Sequence, residues 1–311
     1  MSGGVRFSID AGQTSIRLRV TGSGAEVQEF VLPGVRTDHS PIRQVAAVLT
    51  AHRGLEPESV AVGLSGFDGA PDAAAHLLTA SPSTRRVVVA HDSITGYLGA
   101  NGRSEGVVAA VGTGVVVLGV GPAGLARVDG WGALLGDAGS AYWIGRAGLD
   151  AALRSADGRG PATVLLPDAV ETFGPTEGIY LDLHADPDRI ARIAAFAPAV
   201  TAAAELGDGP ARRIVELAVA ELVTSIDAAL ERSGADRSAA RVSAVGRVMT
   251  SAVVREELQR ALERANPAEP GLAPLHLAAP LGDPLDGVER LHELALDHPL
   301  AVSVISASRE V

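Results

Sequence analysis

The chain has 311 residues, 47% of them hydrophobic, and a formal net charge of −11, so it is long enough for two cored domains and presents no basic surface for nucleic acid. All 26 basic residues are arginine, which excludes the lysine-dependent Walker P-loop, protein-kinase and Schiff-base chemistries. The absence of cysteine excludes disulfides, thiolate zinc sites and iron–sulfur clusters.

The first hundred residues predict strands followed by alternating helices and strands. Alternating and β-branched runs predict a three-stranded meander over residues 5–9, 15–20 and 26–32, with turns at 11–12 and 22–24. Helical and strand patterns then alternate over residues 41–52, 60–64, 72–78 and 87–90, with a short helix from Asp92. This order predicts an α/β fold in which helices cover a mixed sheet.

The same order restarts at Gly106. Strands are predicted at 107–111, 115–120 and 125–128, helices at 140–155, 187–197 and 210–232, then a strand at 242–245, a helix at 250–265 and an apolar run at 275–278. Turn residues near Ser104 place a boundary there, which predicts two lobes, residues 1–104 and 105–311. The weak repeat favours two similar lobes.

Residues 106–126 carry no charge and are long enough to span a bilayer. Their glycines and β-branched valines predict two buried strands and a turn instead. With no secretory segment near Met1, we expect a cytoplasmic protein without a membrane partner.

Two Gly/Thr turns join pairs of predicted strands. The first follows the carboxylate of Asp10 and comprises Gly12, Gln13 and Thr14, and the second comprises Gly112, Thr113 and Gly114. Either turn taken alone is typical of an ordinary hairpin. Their occurrence at the start of both lobes also fits backbone N–H groups and hydroxyls that face phosphate oxygens.

Two further residues follow predicted strands and are candidates for the chemistry. Asp92 either caps the next helix or accepts the proton of an attacking hydroxyl, a modest demand in phosphoryl transfer. Ser65 is expected to line a cleft at a strand end. The eight histidines are dispersed without metal-ligand spacing, and no nucleophile elbow is present, so neither zinc nor serine hydrolysis is supported.

The segment from Gly130 to Gly145 holds both tryptophans and a single aspartate, Asp137. Asp137 either stabilises the helix predicted from Ser140, which would be its cap, or accepts hydrogen bonds from a polyol. Tryptophan is more often a core residue than a ligand platform, and Trp143 is assigned to packing.

Taken together, these motifs resemble the N-acetylglucosamine kinases of the BadF/BadG/BcrA/BcrD-type ATPase family. The resemblance spans nearly the whole chain and includes residues 203–208 and 245–248. It implies two actin-like, ribonuclease H-like lobes with mixed sheets that close a cleft over ATP, Mg²⁺ and an amino sugar. Activators of the wider family carry a cysteine-bound cluster, which this chain cannot form.

The resemblance also implies a role for each matched residue. Asp92 would be the catalytic base and Asp10 would hold magnesium through water. The remaining matches are Gly12, Gln13, Thr14, Gly112, Thr113 and Gly114 at the phosphates, Ala203, Gly246, Arg247 and Ser251 at the adenosine, and Asp38, Ser65, Asp92, Gly130, Trp131, Gly132 and Asp137 at the sugar.

Four residues depart from the pattern of the animal kinases. Val115 and Val116 replace Ser-Asn, Ala138 replaces an acidic residue, and Asp38 replaces a sugar-binding asparagine. A carboxylate at Asp38 favours the free amine of glucosamine over an acetamido group, because charge-assisted hydrogen bonds are stronger.

The leading interpretation is an ATP-dependent hexosamine kinase that forms a 6-phosphate on N-acetylglucosamine or glucosamine. Alternatives are a kinase of another hexose or cell-wall sugar, and a non-catalytic sugar-sensing protein that kept the fold. A homodimer is a family-level expectation.

Overall fold

The computed structural model describes residues 4–22, 26–36, 38–264 and 273–309. The chain folds into two compact units: the first unit comprises residues 1–104 and 280–311, and the second unit comprises residues 105–279. The turn predicted at 22–24 and the helix end predicted at 265 fall partly or wholly outside the described residues. The predicted mixed α/β architecture is confirmed in both units.

The described part of the first unit contains a mixed six-stranded sheet in the order β10-β5-β4-β1-β2-β3. Its strands are β1 (Arg6–Ala11), β2 (Ser15–Thr21), β3 (Gln28–Pro33), β4 (Ser59–Leu64), β5 (Arg86–His91) and β10 (Val304–Ser308). Its helices are α1 (Pro41–Ala51), α2 (Ala73–Ala80), α3 (Asp92–Asn101) and α11 (Pro284–Leu291).

Strands β1, β4 and β5 are parallel neighbours, with Ala11 opposite Leu64 and Leu64 opposite His91. The valine side chains of β4 and β5 are almost wholly buried because helices cover both faces of this part of the sheet. The residues that follow the three strands therefore meet at one edge of the sheet.

The predicted second lobe, residues 105–311, differs from the structure at its C-terminal end. Residues 280–311 belong to the first unit, because β10 pairs with β5 and α11 packs on α3. A Cβ added at Gly287 would lie 1.8 Å from the carbonyl oxygen of Thr95, so only glycine permits this helix contact. The C-terminal segment thus completes the first unit.

The described part of the second unit contains a four-stranded sheet in the order β8-β7-β6-β9. Its strands are β6 (Gly106–Val111), β7 (Val115–Gly121), β8 (Gly124–Val128) and β9 (Arg241–Val245). Its helices are α4 (Ala141–Ala156), α5 (Leu165–Phe173), α6 (Ile179–Ala185), α7 (Arg189–Ala194), α8 (Ala197–Glu205), α9 (Gly209–Ser233) and α10 (Ala252–Glu263).

The uncharged stretch 106–126 forms β6, β7 and the start of β8, as predicted. The helix predicted over 187–197 is instead two helices, since α7 ends at Ala194 and α8 begins at Ala197. The apolar run 275–278 contributes a single bridge between Leu277 and Val242. Within the described ranges, no helix has the length and apolar character needed to cross a bilayer.

A buried histidine connects α11 to the sheet of the first unit. The Nδ1 atom of His292 lies 2.7 Å from the Ser59 hydroxyl, and Nε2 lies 3.4 Å from the Ser8 hydroxyl. Burial, reinforced by the positive charge of Arg6, lowers the pKa of His292 to about 4. The folded unit therefore holds the neutral imidazole.

This burial predicts acid sensitivity of the first unit. The pKa of His292 is lower in the folded state than the unfolded value of 6.5, so the unfolded state takes up a proton first as the pH falls. The free energy of unfolding therefore decreases between pH 6.5 and 4, by about 1.4 kcal/mol per pH unit at most. His292→Gln should flatten this dependence. Both tryptophans lie in the second unit, so their fluorescence does not report on the first unit. The measurement is therefore hydrogen exchange of the β4 and β5 amides.

The matched control is His76→Gln, since His76 is exposed on α2. It should keep the wild-type loss of protection on acidification. An equal loss of protection in His292→Gln and wild type would contradict this assignment of the acid sensitivity.

Candidate functional site

The parallel strands of the first unit bring three predicted site residues to one sheet edge. Asp10 is the penultimate residue of β1, Ser65 follows β4 and Asp92 follows β5. The Ser65 N–H donates to the carbonyl of Ala11, and the Ser65 side chain lies near enough to Asp92 to lower the pKa of its carboxylate. Two carboxylates and a hydroxyl are thus arranged along this edge, as the strand-end positions predicted.

Arg17 holds the Asp10 carboxylate in place. Its Nη2 and Nε atoms lie 2.6 and 3.2 Å from Oδ2 of Asp10, and its Nη1 donates to Asp283 at 2.5 Å. Burial raises the pKa of Asp10, although the Arg17 hydrogen bonds oppose that shift. The sequence interpretation did not include Arg17 or Asp283, which lies 266 residues from Arg17 in the chain.

Helix α3, which begins at Asp92, is capped by the preceding residue, His91. The Nδ1 atom of His91 accepts from the Ser93 N–H at 3.1 Å, which makes His91 the cap, and it also lies 2.9 Å from Oδ1 of Asp92. Nδ1 can serve one of these partners at a time, because it donates only when protonated. The neutral imidazole therefore caps the helix through Nδ1, whereas the protonated imidazole donates to Asp92 instead.

The pKa of Asp92 is lowered overall. Burial acts to raise it, but the hydrogen bond and charge of His91 and the Ser65 hydroxyl outweigh burial. The carboxylate is consequently ionised near neutral pH, as a proton acceptor must be.

The turn after β1 packs closely against Gly34. A Cβ at Gly34 would lie 2.0 Å from the carbonyl oxygen of Gln13, and the Val35 N–H donates to the Gly12 carbonyl at 2.9 Å. Thr14 is exposed at the tip, and within the described ranges its hydroxyl has no hydrogen-bond partner. This leaves the hydroxyl free for a ligand.

Asp38 lies in the loop between β3 and α1 and is exposed. Its carboxylate is bonded to the Arg36 guanidinium at 2.7 and 3.1 Å and to Nδ1 of His39 at 2.8 Å. The Arg36 hydrogen bond and that of His39 hold the pKa of Asp38 far below its usual range. Asp38 is thus an ionised carboxylate with two local partners.

The turn of the second unit is fastened to the first residues of α4. The Gly112 carbonyl accepts from the Ala141 N–H and the Thr113 carbonyl accepts from the Tyr142 N–H, at 2.9 and 3.1 Å. Ser140 caps α4 by accepting from the Trp143 N–H, as predicted. Thr113 is exposed beside the helix N-terminus, where the backbone favours anions.

Two aspartates in left-handed backbone conformations shape the loop between β8 and α4. Asp129 (φ 57°) accepts from the N–H groups of Asp137 and Ala138 at 2.9 and 3.1 Å. Asp137 (φ 59°) is buried, and the nearby backbone N–H groups of Val115 and Gly132 act to lower the pKa of its carboxylate. Non-glycine residues in this region are strained and are frequent at functional sites.

Asp137 links this loop to the glycine turn. A Cβ at Gly114 would lie 2.6 Å from Oδ2 of Asp137, so the last glycine of the turn is what permits this approach. Burial raises the pKa of Asp137, and the nearby Asp129 charge adds to that shift. Both interpretations of Asp137 remain compatible with these contacts.

The two tryptophans occupy different environments. Trp143 is partly buried against the core of the second unit, as expected for a packing residue. Trp131 is 74% exposed between Gly130 and Gly132, and its neighbours Leu134 and Leu135 are exposed as well. Trp131 is therefore an accessible ring on the loop predicted to hold a sugar.

A pocket of about 350 Å³ lies in the second unit, beside the glycine turn. Its walls include several small apolar residues of α7 and α8, and its polar lining residues are Thr113, Thr201, Glu205, Arg247, Thr250 and Ser251. The Ser251 hydroxyl is buried and, within the described residues, has no hydrogen-bond partner. A ligand in this pocket could satisfy it.

Arg247 and Ser251 line this pocket, whereas Ala203 does not. Ala203 is buried in the core, and the neighbouring Ala202 contributes to the pocket wall instead. The backbone of Gly246 has φ 103°, and a Cβ there would lie 2.3 Å from the carbonyl oxygen of Val111. The sequence interpretation missed Thr201 and Glu205; the helical spacing from Ala197 places both on α8.

No cluster of three or more potential ligands for a metal ion occurs among the described residues. Asp10 is a single carboxylate whose Oδ2 is engaged by Arg17. Magnesium sites that include substrate phosphates need only one or two protein carboxylates, so this donor set is compatible with such a site.

The chain was compared with known protein families and proteins. Residues 9–275 match the model of the BadF/BadG/BcrA/BcrD ATPase family. An N-acetylmuramic acid/N-acetylglucosamine kinase of Clostridium acetobutylicum is 29% identical over 189 residues, and an N-acetyl-D-glucosamine kinase of Dictyostelium discoideum is 32% identical over 190. The matched segments span 57% and 58% of this chain and 59% of each relative.

A solved structure of a candidate N-acetylglucosamine kinase from Chromobacterium violaceum superposes with a TM-score of 0.69. It shares 22% identity, and the match covers 92% of this chain and 97% of that one. At this identity the likeness shows the fold, and it agrees with the expected α/β architecture.

The Asp129 contacts predict a stabilising role in the second unit. In Asp129→Asn one carboxylate oxygen becomes an NH₂ group that faces a backbone donor, which should lower the free energy of unfolding by about 1–3 kcal/mol. The substitution also removes the repulsion between the Asp129 and Asp137 charges, which offsets part of this loss of stability. Urea unfolding followed by tryptophan fluorescence measures it, since both tryptophans lie in the second unit.

Asp157→Asn provides the control, because Asp157 also accepts a backbone N–H bond, from Arg159, but on an exposed turn. Its effect should stay within about 0.5 kcal/mol. Equal effects of the two substitutions would show that the loop does not depend on Asp129.

Proposed function

Because this chain belongs to the BadF/BadG/BcrA/BcrD ATPase family, we propose that it is an ATP-dependent kinase of an amino sugar. The acceptor would be the 6-hydroxyl of N-acetylglucosamine or glucosamine. The kinase activities of the two relatives, each matched over part of its length, support a sugar kinase. The observation that carries the proposal is the Asp10, Ser65 and Asp92 edge of the first unit.

In the proposed reaction Asp92 accepts the proton of the attacking sugar hydroxyl. Its lowered pKa keeps it ionised, and the Ser65 side chain is one of the groups that lower it. Phosphoryl transfer depends more on an oriented nucleophile and neutralised charge than on a strong base. An aspartate with this environment is therefore adequate.

The proposed magnesium ligand is Asp10, acting through water. Oδ1 of Asp10 has no hydrogen-bond donor among the described residues, while Arg17 engages Oδ2. A bound Mg²⁺ would neutralise charge on the donor phosphates. Arg17 would keep the Asp10 side chain in one orientation whether or not the ion is present.

The proposed nucleotide site in the second unit is the pocket beside the glycine turn. Gly112, Thr113 and Gly114 would contact the phosphates, and the apolar wall with Arg247 and Ser251 would border the adenosine. The unsatisfied Ser251 hydroxyl supports a polar ligand there. In the first unit Gly12, Gln13 and Thr14 are the proposed phosphate contacts.

The sugar-binding proposal retains Trp131, Gly130, Gly132 and Asp137, together with Asp38 and Ser65. The exposed Trp131 ring offers a face for the apolar side of a sugar. Trp131 and Leu134 expose apolar surface on the same loop, which a bound substrate would partly cover.

A panel of sugars in a coupled ADP-release assay tests the activity. Wild type should release ADP only with an acceptor sugar, and Asp92→Asn should lower kcat by about 10²-fold or more, because a general base contributes that much. The control is Asp72→Asn, an exposed aspartate before α2 without a side-chain cap bond, which should keep wild-type kcat.

The alternative is a sugar-sensing protein, and Val116 and Ala138 are the observation that favours it. Both apolar side chains stand where the resembling kinases carry polar groups. Sugar binding with no ADP release across the panel would contradict the kinase and support this second function. Sugar-dependent release that survives Asp92→Asn would contradict the role of the base.

Asp38 is predicted to set the preference among amino sugars. If its carboxylate contacts the substituent on carbon 2, wild type favours glucosamine, and Asp38→Asn should shift kcat/KM towards N-acetylglucosamine by about 10-fold, the value of a charge-assisted hydrogen bond. The measurement is kcat/KM for both sugars. Arg36 and His39 already bond this carboxylate, so the ratio of kcat/KM values can also stay unchanged. That result would contradict the role of Asp38 in sugar preference.

A further inference from the structure

The Glu205 carboxylate is a charged group in the nucleotide pocket to which the proposed mechanism gives no task. Glu205 and Arg247 are the charged residues among the described pocket lining. Neither side chain forms a hydrogen bond or an ion pair with any described residue, although both line the same cavity. Opposite charges left apart in one pocket are available to a ligand.

The position of Glu205 along the pocket follows from the packing of α8 on α4. Helix α4 starts at the glycine turn, since Ala141 donates to Gly112. A Cβ at Gly145 would lie 3.4 Å from the Ala197 nitrogen, and one at Gly148 would lie 2.3 Å from the Val200 side chain. The two helices therefore run in the same direction, away from the turn.

Glu205 ends α8, eight residues after Ala197, which corresponds to about 12 Å along the helix axis. It also lines a second cavity, between α8, α9 and α10, that the glycine turn does not reach. Glu205 thus lies at an end of the pocket away from the proposed phosphate contacts. In a nucleotide the base, rather than the ribose, is the part farthest from the phosphates.

The chemistry at this end favours one kind of base. Adenine presents an exocyclic amine that donates hydrogen bonds, whereas guanine and hypoxanthine present a carbonyl at the same position. A carboxylate that faces this substituent accepts from the amine and repels the carbonyl, whereas one that faces the neighbouring N1–H of guanine or hypoxanthine accepts from that group instead. Alanines of α7 (Ala191, Ala194) and Ala195 provide small apolar contacts for the ring.

We infer that Glu205 is the specificity-determining residue for the base of the phosphate donor and selects adenine through its exocyclic amine. The inference rests on the proposed nucleotide site. A site built to hydrogen-bond one group rejects the analogue that lacks it more strongly than a hydrophobic pocket does. Glu205 thereby assigns the donor preference, which the family resemblance leaves open.

Calorimetric binding of ADP and inosine diphosphate, without sugar, tests the inference. Wild type should bind ADP at least about 10-fold more tightly, since a hydrogen bond to a charged group has this value. Glu205→Gln should reduce the ratio of the inosine diphosphate Kd to the ADP Kd by about 10-fold, because an amide can also donate to a carbonyl. Glu205→Ala should weaken ADP and leave inosine diphosphate nearly unchanged.

Glu216→Gln is the matched control, because Glu216 lines the second cavity but not the nucleotide pocket. It should keep the wild-type ratio. Tryptophan fluorescence of each variant reports folding of the second unit, where both tryptophans lie.

An unchanged ADP-to-inosine ratio in Glu205→Gln would overturn the inference while leaving nucleotide binding intact. A changed preference between ADP and 2′-deoxy-ADP, with a constant base ratio, would assign Glu205 to the ribose and also overturn it. Failure of wild type to bind either nucleotide would overturn the proposed function together with the inference.

Discussion

The parallel pairing of β1, β4 and β5 is the constraint on which the chemistry of the first unit depends. Buried apolar side chains line each strand, and helices cover both faces of β4 and β5, so a change of register would disturb a close-packed core. Because the three strands end together, Asp10, Ser65 and Asp92 come to one edge although they are far apart in sequence. The geometry of the proposed base is thus a product of core packing.

The second unit reaches a comparable result with turns and helix ends. The glycine turn is bonded to the first residues of α4, and its last glycine admits the carboxylate of Asp137. Asp129 in turn holds the backbone of Asp137 in a left-handed conformation. Each element limits the movement of the next, so the proposed phosphate contacts and the proposed sugar loop share one set of supports.

Local patterns were sufficient for most of the architecture. Strands β1 to β5, the two strands of the uncharged stretch, the Ser140 cap and the packing of Trp143 all follow from alternation, propensity and capping, whereas β10 was not predicted. The strand-end positions of Asp10, Ser65 and Asp92 could also be predicted, because they depend only on which segments are parallel strands.

The features that were missed depend on residues distant in sequence. Arg17 meets Asp283, and the C-terminal residues 280–311 join the first unit, through contacts that no local pattern encodes. A cap at Asp92 was one of the two roles considered for this residue, and His91 takes that position because its imidazole accepts the Ser93 N–H. Ala203 was assigned to the pocket, yet the helical rotation of α8 turns it to the core and presents Ala202 instead.

The discontinuity of the first unit has a consequence for biosynthesis. The second unit is continuous from residue 105 to 279, so it can reach its native contacts while the ribosome is still translating the remainder. The helix whose glycine fits against Thr95 is made after the second unit, and until it arrives α3 exposes the surface that this helix will cover. The second unit can therefore be completed before the first, whereas domains generally fold from the N-terminal one onwards.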